Sequence, residues 1–278
     1  MLAGDAPRHG LPDEAWKAVR SIFEREAVTG RPPSPARRVL DGVLWILATG
    51  APWRDLPRSF GPWQTIYGRF RAWCTHGDLA RALRRLQRAA TATKARSAAT
   101  WCVDTTIVRA SRAAAGARRS RDPTEPSDHA LGRSRGGFGT KVALVCDGRG
   151  TPLAVQVGPG QEHDLQRLRP TVRAALSLRR RPRRLTADKA YSVAWVRSWL
   201  RRRRIEPVIP TRCDQATDLG FDKKRYRQRN VVERLVGWLK ESRRVATRYD
   251  KLATTFLGFV KLAMLRRLLR TAEFSNTT

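Results

Sequence analysis

The sequence predicts an α/β protein in which a small all-helical N-terminal domain precedes a mixed five-stranded sheet with flanking helices. Residues 11–90 carry apolar side chains at helical spacing, whereas the chain from residue 100 onward is rich in β-branched residues. A hairpin signal, the turn DGRG between two apolar runs, is followed by alternating strand and helix patterns. Hairpin strands followed by such alternation are typical of a mixed sheet covered by helices. We therefore predict a helical domain over 1–95 and an α/β domain over 96–278.

The N-terminal helices are predicted from apolar spacing and from the residues at helix ends. The segment PARRVLDGVLWILATG has a proline near its start and Gly50 at its end, the usual order of these residues in a helix. Aromatic and aliphatic residues then recur at helical spacing from Trp63 to Trp73, with Arg69 and Arg71 off the apolar face. Two helices joined by a turn can form a helix-turn-helix DNA reader that uses these arginines. A small helical bundle with a basic solvent-facing surface fits the same pattern, so both interpretations stay open.

Five strands are predicted in the second domain: TWCVDTTIVRA, the two halves of KVALVCDGRGTPLAVQV, RRLTAD and IEPVIP. Asp147 is predicted to be a turn residue of DGRG. The segment at about 111–139 is rich in Gly, Ser, Arg and Pro and has no period, which predicts a mobile basic loop. Asp164, in GQEHD, is predicted to cap a helix, and an approach of His163 or Asp164 to a functional site is the alternative.

The charge and composition narrow the class of protein. A formal net charge of +32 draws the chain to polyanions, and for a globular chain with 41% hydrophobic residues the expected partner is nucleic acid. A protein that only neutralises phosphate is the alternative on charge alone. The four cysteines lie far apart without a CxxC pair, which argues against a zinc site and a disulfide framework. The apolar runs are too short to span a bilayer, so no membrane association and a cytoplasmic location are expected.

Three carboxylates stand out in the second domain. Asp104 lies inside the apolar strand WCVDTTIV, where an unpaired charge is costly, and Asp188 follows a strand at the position where ligands gather in open α/β sheets. Pairing of Asp104 with a buried arginine and helix capping by Asp188 explain each residue equally well. Together with Glu233 on a helix, they are the parts of a two-metal phosphoryl-transfer site. Their spacing permits such a site without proving that the three converge.

Glu233 belongs to a polar stripe on a predicted helix, YRQRNVVERLVGWLK. At about 100° per residue, Tyr226, Arg229, Glu233 and Lys240 fall within roughly 60° of one another. The opposite, apolar face is predicted to be buried and consists of Val231, Val232, Leu235, Trp238 and Leu239.

The stripe has the form Y-x2-R-x3-E-x6-K, which matches the motif of DDE transposases from bacterial insertion sequences. The segment LATGAPWRDLPRSFGPWQTIYGRFRAW resembles the N-terminal region of the insertion-sequence-5 family. GRSRGGFGTKVALVCDGRGTPL and TADKAYS resemble that family's middle region and its second-Asp block. The resemblance covers roughly residues 11–245 in order.

The resemblance implies an RNase H-like core whose catalytic, metal-binding residues are Asp104, Asp188 and Glu233, with Mg²⁺ as the cofactor and Mn²⁺ as an alternative ion. Such enzymes cleave phosphodiesters at element ends and join the freed 3′-OH to target DNA. Arg229 and Lys240 are then expected to face phosphates, and Tyr226 to orient or stack on DNA, with a packing role alone as the alternative.

Further expectations follow from the same resemblance. The partners are terminal inverted repeats, bound by the helical N-terminal domain, and target DNA, with a homodimer on paired ends in the bacterial nucleoid. The larger relatives carry a β-rich insertion between the second Asp and the Glu, whereas a short segment stands here, so a compact core is expected. A non-catalytic, sequence-specific DNA-binding protein derived from a transposase, and an RNase H-like nuclease without strand transfer, are the alternative functions.

Overall fold

A computed structural model describes residues 9–24, 34–92, 99–117, 120, 122–178, 181–216 and 221–273. The chain forms two compact units. The helical unit comprises Met1–Leu86, Ser111–Ser127 and Leu239–Thr278, and the sheet unit comprises Gln87–Ala110 and Asp128–Trp238.

The helices, numbered in chain order, are α1 (Asp13–Phe23), α2 (Ala36–Thr49), α3 (Trp63–Thr75), α4 (Asp78–Ala92), α5 (Asp164–Leu176), α6 (Ala194–Arg201), α7 (Lys223–Arg227), α8 (Asn230–Lys240), α9 (Arg243–Ala246) and α10 (Ala253–Glu273). The strands are β1 (Thr100–Ala110), β2 (Gly132–Ser134), β3 (Gly137–Asp147), β4 (Pro152–Pro159), β5 (Arg184–Thr186), β6 (Glu206–Val208) and β7 (Thr247–Arg248). Among the described helices, none combines the length and the apolar character that a membrane span needs.

The division into units differs from the predicted division into 1–95 and 96–278 because the C-terminal helix packs with the N-terminal ones. Phe259 of α10 stacks against Phe70 of α3 at a ring-centroid distance of 4.5 Å. A side chain at Gly258 would lie 2.4 Å from the Cys74 sulfur, so the close approach of α10 to α3 requires glycine there. The predicted boundary itself falls within 93–98, outside the described residues.

The segment predicted to be a loop over 111–139 contains local structure and long-range hydrogen bonds. Its first part forms a 3₁₀ turn at Arg112–Ala115, and its last part includes β2 and the start of β3. Within the helical unit, the Glu125 carboxylate accepts hydrogen bonds from the backbone N–H groups of Ala253 (2.7 Å) and Thr254 (2.9 Å). These contacts satisfy two of the donors that the first turn of α10 leaves without helical partners. Local composition could not predict them because the partners are 128 and 129 residues apart in sequence.

The sheet unit has the mixed sheet with flanking helices that the sequence predicts, with the five main strands in the order β4–β3–β1–β5–β6. Strand β3 pairs antiparallel with β4 on one side and with β1 on the other, and β1, β5 and β6 are parallel. The predicted DGRG hairpin joins β3 to β4. Asp147 accepts hydrogen bonds from the backbones of Arg149 and Thr151, both at 2.9 Å, which confirms its role as a turn residue.

Alternate residues of β1 face opposite sides of the sheet. Trp101 and Val103 belong to the buried apolar cluster that includes residues of α5 and α6. Cys102 and Asp104 face the other side, where Cys102 donates to the carbonyl of Gln228, just after α7. The fold therefore places Asp104 on the side of the sheet that the α7–α8 segment covers.

Candidate active site

Asp104 lies in the middle of β1 and is largely buried. Its side chain is 15% exposed, and its carboxylate accepts hydrogen bonds from the backbone N–H of Thr105 (2.9 Å) and from the guanidinium of Arg229 (3.0 Å). Burial raises the pKa of Asp104, the like charge of Asp188 raises it further, and the charge of Arg229 opposes both. The buried charge of Asp104 is therefore paired with Arg229, as its position in an apolar strand led us to expect. Asp188 lies close enough to raise the pKa of Asp104.

Asp188 lies two residues beyond the end of β5. Its carboxylate accepts a hydrogen bond from the backbone N–H of Ala190 at 2.9 Å and caps the 3₁₀ turn Lys189–Tyr191. Capping, one of the two interpretations open from the sequence, is therefore observed. It coexists with proximity to Asp104, because the parallel strands β1 and β5 are neighbours and both point their carboxyl ends toward the same edge of the sheet.

Glu233 lies in the first turn of α8, on a segment that is not the single helix predicted from Tyr226 to Lys240. That prediction is wrong: α7 ends at Arg227, and α8 begins at Asn230. Bonds spanning only three residues, such as that from the Arg229 N–H to the Tyr226 carbonyl (2.9 Å), tighten the chain between the helices. Apolar spacing continues through this break, which is why periodicity did not reveal it.

The apolar face of α8 is buried as predicted except at one position. Val231, Val232, Leu235 and Leu239 are buried, whereas the side chain of Trp238 is 42% exposed. The prediction that Trp238 lies in the core is wrong.

Arg229 connects two of the predicted carboxylates. One terminal nitrogen of its guanidinium lies 3.0 Å from Asp104, and the other lies 2.5 Å from Glu233. The Arg229 side chain is 15% exposed, and its Nε is buried without a hydrogen-bond partner in the described structure. Half of the Glu233 side chain is exposed, so Arg229 couples a buried carboxylate on β1 to an accessible one on α8. In this structure Arg229 contacts two carboxylates, and its expected contact with phosphate stays a prediction.

Tyr226 lies in α7 within electrostatic reach of the same group. Burial raises the pKa of its phenol, and the charges of Asp188, Glu233 and Asp104 raise it further, against the charge of Arg229. Its ring also packs on Phe221, with ring centroids 5.4 Å apart. Tyr226 thus combines a packing contact with a hydroxyl whose pKa responds to the charges of the carboxylates.

The remaining predicted DNA-contacting residues belong to the helical unit. Lys240 is the last residue of α8 and is partly buried. Arg69 and Arg71 lie on α3, each with its guanidinium 6.0 Å from an aromatic ring, those of Trp73 and Tyr67 respectively. Such cation–π contacts fit a basic surface on a helical bundle. A role of Arg69 and Arg71 in reading DNA stays a prediction.

His163 and Asp164 have structural partners. The helix cap is His163, whose Nδ1 accepts the Leu165 backbone N–H at 3.3 Å, so the prediction that Asp164 is the cap is off by one residue. Asp164 is the first residue of α5 and forms an ion pair with Lys141 of β3. Asp164 also adds its charge to those that raise the pKa of Tyr191, after burial as the main cause.

Sequence reasoning missed two cations on the α7–α8 segment. Arg227 and Arg234 are exposed and line a cavity of about 460 Å³ together with Asn230, Thr100 and Gly148. Both line the same cavity although the helix is interrupted between them, and the basic character of the segment was the signal available in the sequence.

The donor set suits a divalent metal, although the carboxylates are not gathered as ligands of one ion. Within the described residues, no group of three or more His, Cys, Asp or Glu side chains has metal-binding geometry. Asp104, Asp188 and Glu233 nevertheless offer the oxygen ligands that Mg²⁺ and Mn²⁺ prefer. The buried charge of Asp104 also requires a compensating cation, a role that Arg229 fills in this structure.

Comparison with known proteins gives the family. Residues 98–268 match the family model described as the transposase DDE domain, and residues 11–83 match that of candidate transposases of the IS4/5 family. The chain belongs to the DDE transposase family. It is therefore a DNA transposase of the insertion-sequence type and, as members of this family use divalent metal ions, a metal-dependent transposition enzyme.

Several individual proteins and one set of solved structures are similar to parts of this chain. An uncharacterised protein of Sinorhizobium fredii, y4sN, is 34% identical over 119 residues, which are 42% of this chain and 90% of that protein. Candidate transposases for the elements IS402 of Burkholderia cepacia and IS6501 of Brucella ovis are 36% and 34% identical over 131 and 128 residues. These alignments cover 45% of this chain in each case, and 60% and 93% of the relatives. Among solved structures, one that is similar is titled the Mos1 transposase paired-end complex with left transposon end. The match covers 89% of this chain and 82% of the Mos1 chain, with a TM-score of 0.27 and 14% sequence identity.

Proposed function

We propose that this transposase cleaves phosphodiester bonds at the ends of its insertion sequence and joins the freed 3′-OH to target DNA, with Asp104, Asp188 and Glu233 as its catalytic carboxylates. The observation that carries the proposal is the bridge that Arg229 makes between Asp104 and Glu233. The bridge joins Asp104 to two residues that follow it by 125 and 129 positions in the sequence. Asp188 acts electrostatically on the same Asp104 carboxylate. Such a cluster within a strongly basic protein is suited to phosphoryl transfer.

Asp104, Asp188 and Glu233 would hold divalent cations, Mg²⁺ in the first instance and Mn²⁺ as an alternative. When bound, these ions supply activation of the attacking water or 3′-OH and neutralise charge on the scissile phosphate. The three side chains would approach from strand β1, from the turn just after β5 and from helix α8.

The surrounding residues control charge and orientation. Arg229 offsets the negative charge of Asp104 and Glu233 and holds the side chain of Glu233 toward β1. A guanidinium has five N–H donors, so Arg229 can contact a phosphate oxygen without releasing both carboxylates. The Tyr226 hydroxyl, whose raised pKa keeps it protonated, can donate a hydrogen bond to DNA.

DNA binding is proposed to rest on exposed cations. Arg227 and Arg234, at the rim of their shared cavity, are proposed to grip phosphates, as are Lys240, Arg69 and Arg71 in the helical unit. The substrates are the terminal inverted repeats and target DNA, bound by a homodimer on paired ends in the bacterial nucleoid. Binding should weaken steeply with salt, with a log–log slope of about −0.9 per neutralised phosphate of B-DNA.

A cleavage assay tests the proposal. The protein is incubated with DNA carrying its element's end, with Mg²⁺, and compared with Glu233→Gln and Asp104→Asn. The matched control is Glu206→Gln, because Glu206 is also a half-exposed glutamate paired with an arginine, at 50% side-chain exposure against 52% for Glu233.

Metal-dependent 3′ nicking by the wild type and by Glu206→Gln, lost in the other two variants with DNA binding retained, is the expected result. Equal nicking by Glu233→Gln would refute the assignment of Glu233. Nicking without strand-transfer products, with target DNA supplied, would instead identify a nuclease.

A further inference from the structure

An alternating stack of arginine and tryptophan side chains lies on the side of the sheet that α5 and α6 cover. The Arg169 guanidinium lies 4.3 Å from the centre of the Trp195 ring and 6.0 Å from that of Trp199. The Arg203 guanidinium lies 4.3 Å from the centre of the Trp199 ring. It also donates a hydrogen bond to the Trp199 carbonyl at 3.2 Å. These contacts link Trp195, Arg169, Trp199 and Arg203 in that order.

One tryptophan of the stack is buried and the other is exposed. Trp199 is only 3% exposed and belongs to the apolar core, so it fixes the position of both arginines. Trp195 is 36% exposed, although exposed tryptophans are uncommon on a monomer surface. Part of Trp195 therefore stays accessible to solvent beside the Arg169 guanidinium.

The surroundings of the stack are cationic. Arg169, Arg173, Arg201, Arg202 and Arg204 are exposed. In the described part of the chain none of these five forms an ion pair. A flat aromatic surface beside several uncompensated guanidinium groups fits a ligand that combines stacked rings with regularly spaced negative charges.

The direction of the two helices relates the stack to the carboxylates. Strands β4 and β5 run parallel to each other because β4 and β3, and β3 and β1, are antiparallel while β1 and β5 are parallel. Helices α5 and α6 therefore both begin at the edge of the sheet where Asp188 follows β5. Trp195 is the second residue of α6, so the exposed tryptophan of the stack lies toward that edge.

We propose that Trp195 and Arg169 form a binding surface for unpaired nucleotides of a DNA strand. An unpaired base stacks on the accessible part of Trp195, and the neighbouring phosphates contact the exposed arginines. A duplex offers phosphates to this surface but keeps its base faces inside the helix. The binding surface does not depend on the proposed function. Only the source of the bound strand, which would be freed by cleavage beside Asp188, rests on that proposed function.

The test measures binding without catalysis. A fluorescein-labelled thymidine oligonucleotide of about 12 residues, within the range of known single-strand sites, is titrated with the full chain in EDTA, beside a blunt duplex of similar length. The variants are Trp195→Ala, Trp195→Phe, Arg169→Ala and Arg169→Lys. Trp238→Ala, which removes an exposed tryptophan from α8, serves as the control for tryptophan loss.

Trp195→Ala is expected to weaken single-strand binding about tenfold, the effect of losing one stacked base, and to change duplex binding less than about twofold. Trp195→Phe should retain most of the affinity because it keeps an aromatic face, and Arg169→Lys should lose more than a pure charge contact because lysine cannot stack. An equal loss on both DNAs would overturn the proposal in favour of a general phosphate surface. No loss in a Trp195→Ala protein with an unchanged far-ultraviolet spectrum would overturn it as well.

A second readout locates the strand. Thymidines are replaced by 5-iodouridine, and irradiation is expected to crosslink the oligonucleotide to the peptide containing Trp195. Crosslinks confined to other tryptophan peptides would overturn the proposal. Both measurements are independent of cleavage: failure of the proposed function would leave single-strand binding intact, and failure of this inference would leave nicking at the carboxylates intact.

Discussion

Replacing Arg229 by alanine tests whether the predicted carboxylates form one site without relying on activity. Arg229 and Asp104 are each 15% exposed and 3.0 Å apart, so the substitution leaves a mostly buried carboxylate without its cation. Removing one partner of a fully buried pair costs about 3–5 kcal/mol. The residual exposure of both groups reduces this to about 2 kcal/mol, and the half-exposed pair with Glu233 adds less than about 0.5 kcal/mol.

The loss is measured as the free energy of unfolding in urea and as the melting temperature, for which we expect a decrease of about 4–8 °C. The matched control is Arg184→Ala, because Arg184 forms a single ion pair with the half-exposed Glu206 and should cost about 0.5 kcal/mol or less. A double-mutant cycle of Arg229→Ala with Asp104→Asn should return a coupling energy of about 1–2 kcal/mol. A coupling near zero would refute the bridge.

The pH dependence of the same variant has a defined sign. Burial raises the folded-state pKa of Asp104 above its unfolded value, so its protonation favours the folded protein, and the stability it contributes falls as the pH rises through the interval between the two values. Without the opposing charge of Arg229 the folded pKa rises further, and the loss extends to higher pH. The destabilisation by Arg229→Ala should therefore be small near pH 4 and full at pH 7. A difference independent of pH would show that the cost arises from packing and not from charge.

Three further outcomes follow from the contacts of the two units. Glu125→Ala should destabilise the protein by about 1–2 kcal/mol because it removes both hydrogen bonds at the start of α10; Glu14→Ala, which removes only an exposed ion pair, should change the unfolding free energy by less than about 0.5 kcal/mol. Asp250→Ala should cost about 3–5 kcal/mol in urea unfolding because it leaves the buried Arg244 without its carboxylate, and an unchanged midpoint would contradict the pairing. Arg234→Ala should reduce the magnitude of the log–log salt slope of duplex binding by about 0.9 if this side chain contacts one phosphate, whereas an unchanged slope would remove it from the DNA interface.

Much of the sheet unit was predictable because its signals are local. The strand pattern around Asp104, the DGRG turn and the strand before Asp188 each depend on neighbouring residues, and all three elements occur where they were predicted. The capping role of Asp188 was one of two open interpretations. Both capping and proximity to Asp104 require a carboxylate just after the strand, so the sequence could not separate them.

The features that sequence reasoning missed depend on contacts between distant segments. The break between α7 and α8 leaves the apolar spacing intact, so periodicity alone favoured one helix. The grouping of α10 with the N-terminal helices arises from its packing on α3. Glu125, within a segment that composition marks as a loop, finds its partners more than a hundred residues later.

The motif Y-x2-R-x3-E-x6-K has a physical meaning that its spacing alone does not reveal. The interval between Arg229 and Glu233 is four residues, which explains their contact as an ordinary neighbour pair along one side of a helical segment. The contact of Arg229 with Asp104 is of a different kind because it crosses 125 residues and ties the segment to the central strand. A lysine at this position would offer one point charge in place of two separated nitrogens, so it could not hold both carboxylates in the same geometry. The arginine of the motif therefore serves tertiary structure as well as charge, and the fixed distance between it and the glutamate sets where the accessible carboxylate lies relative to the buried one.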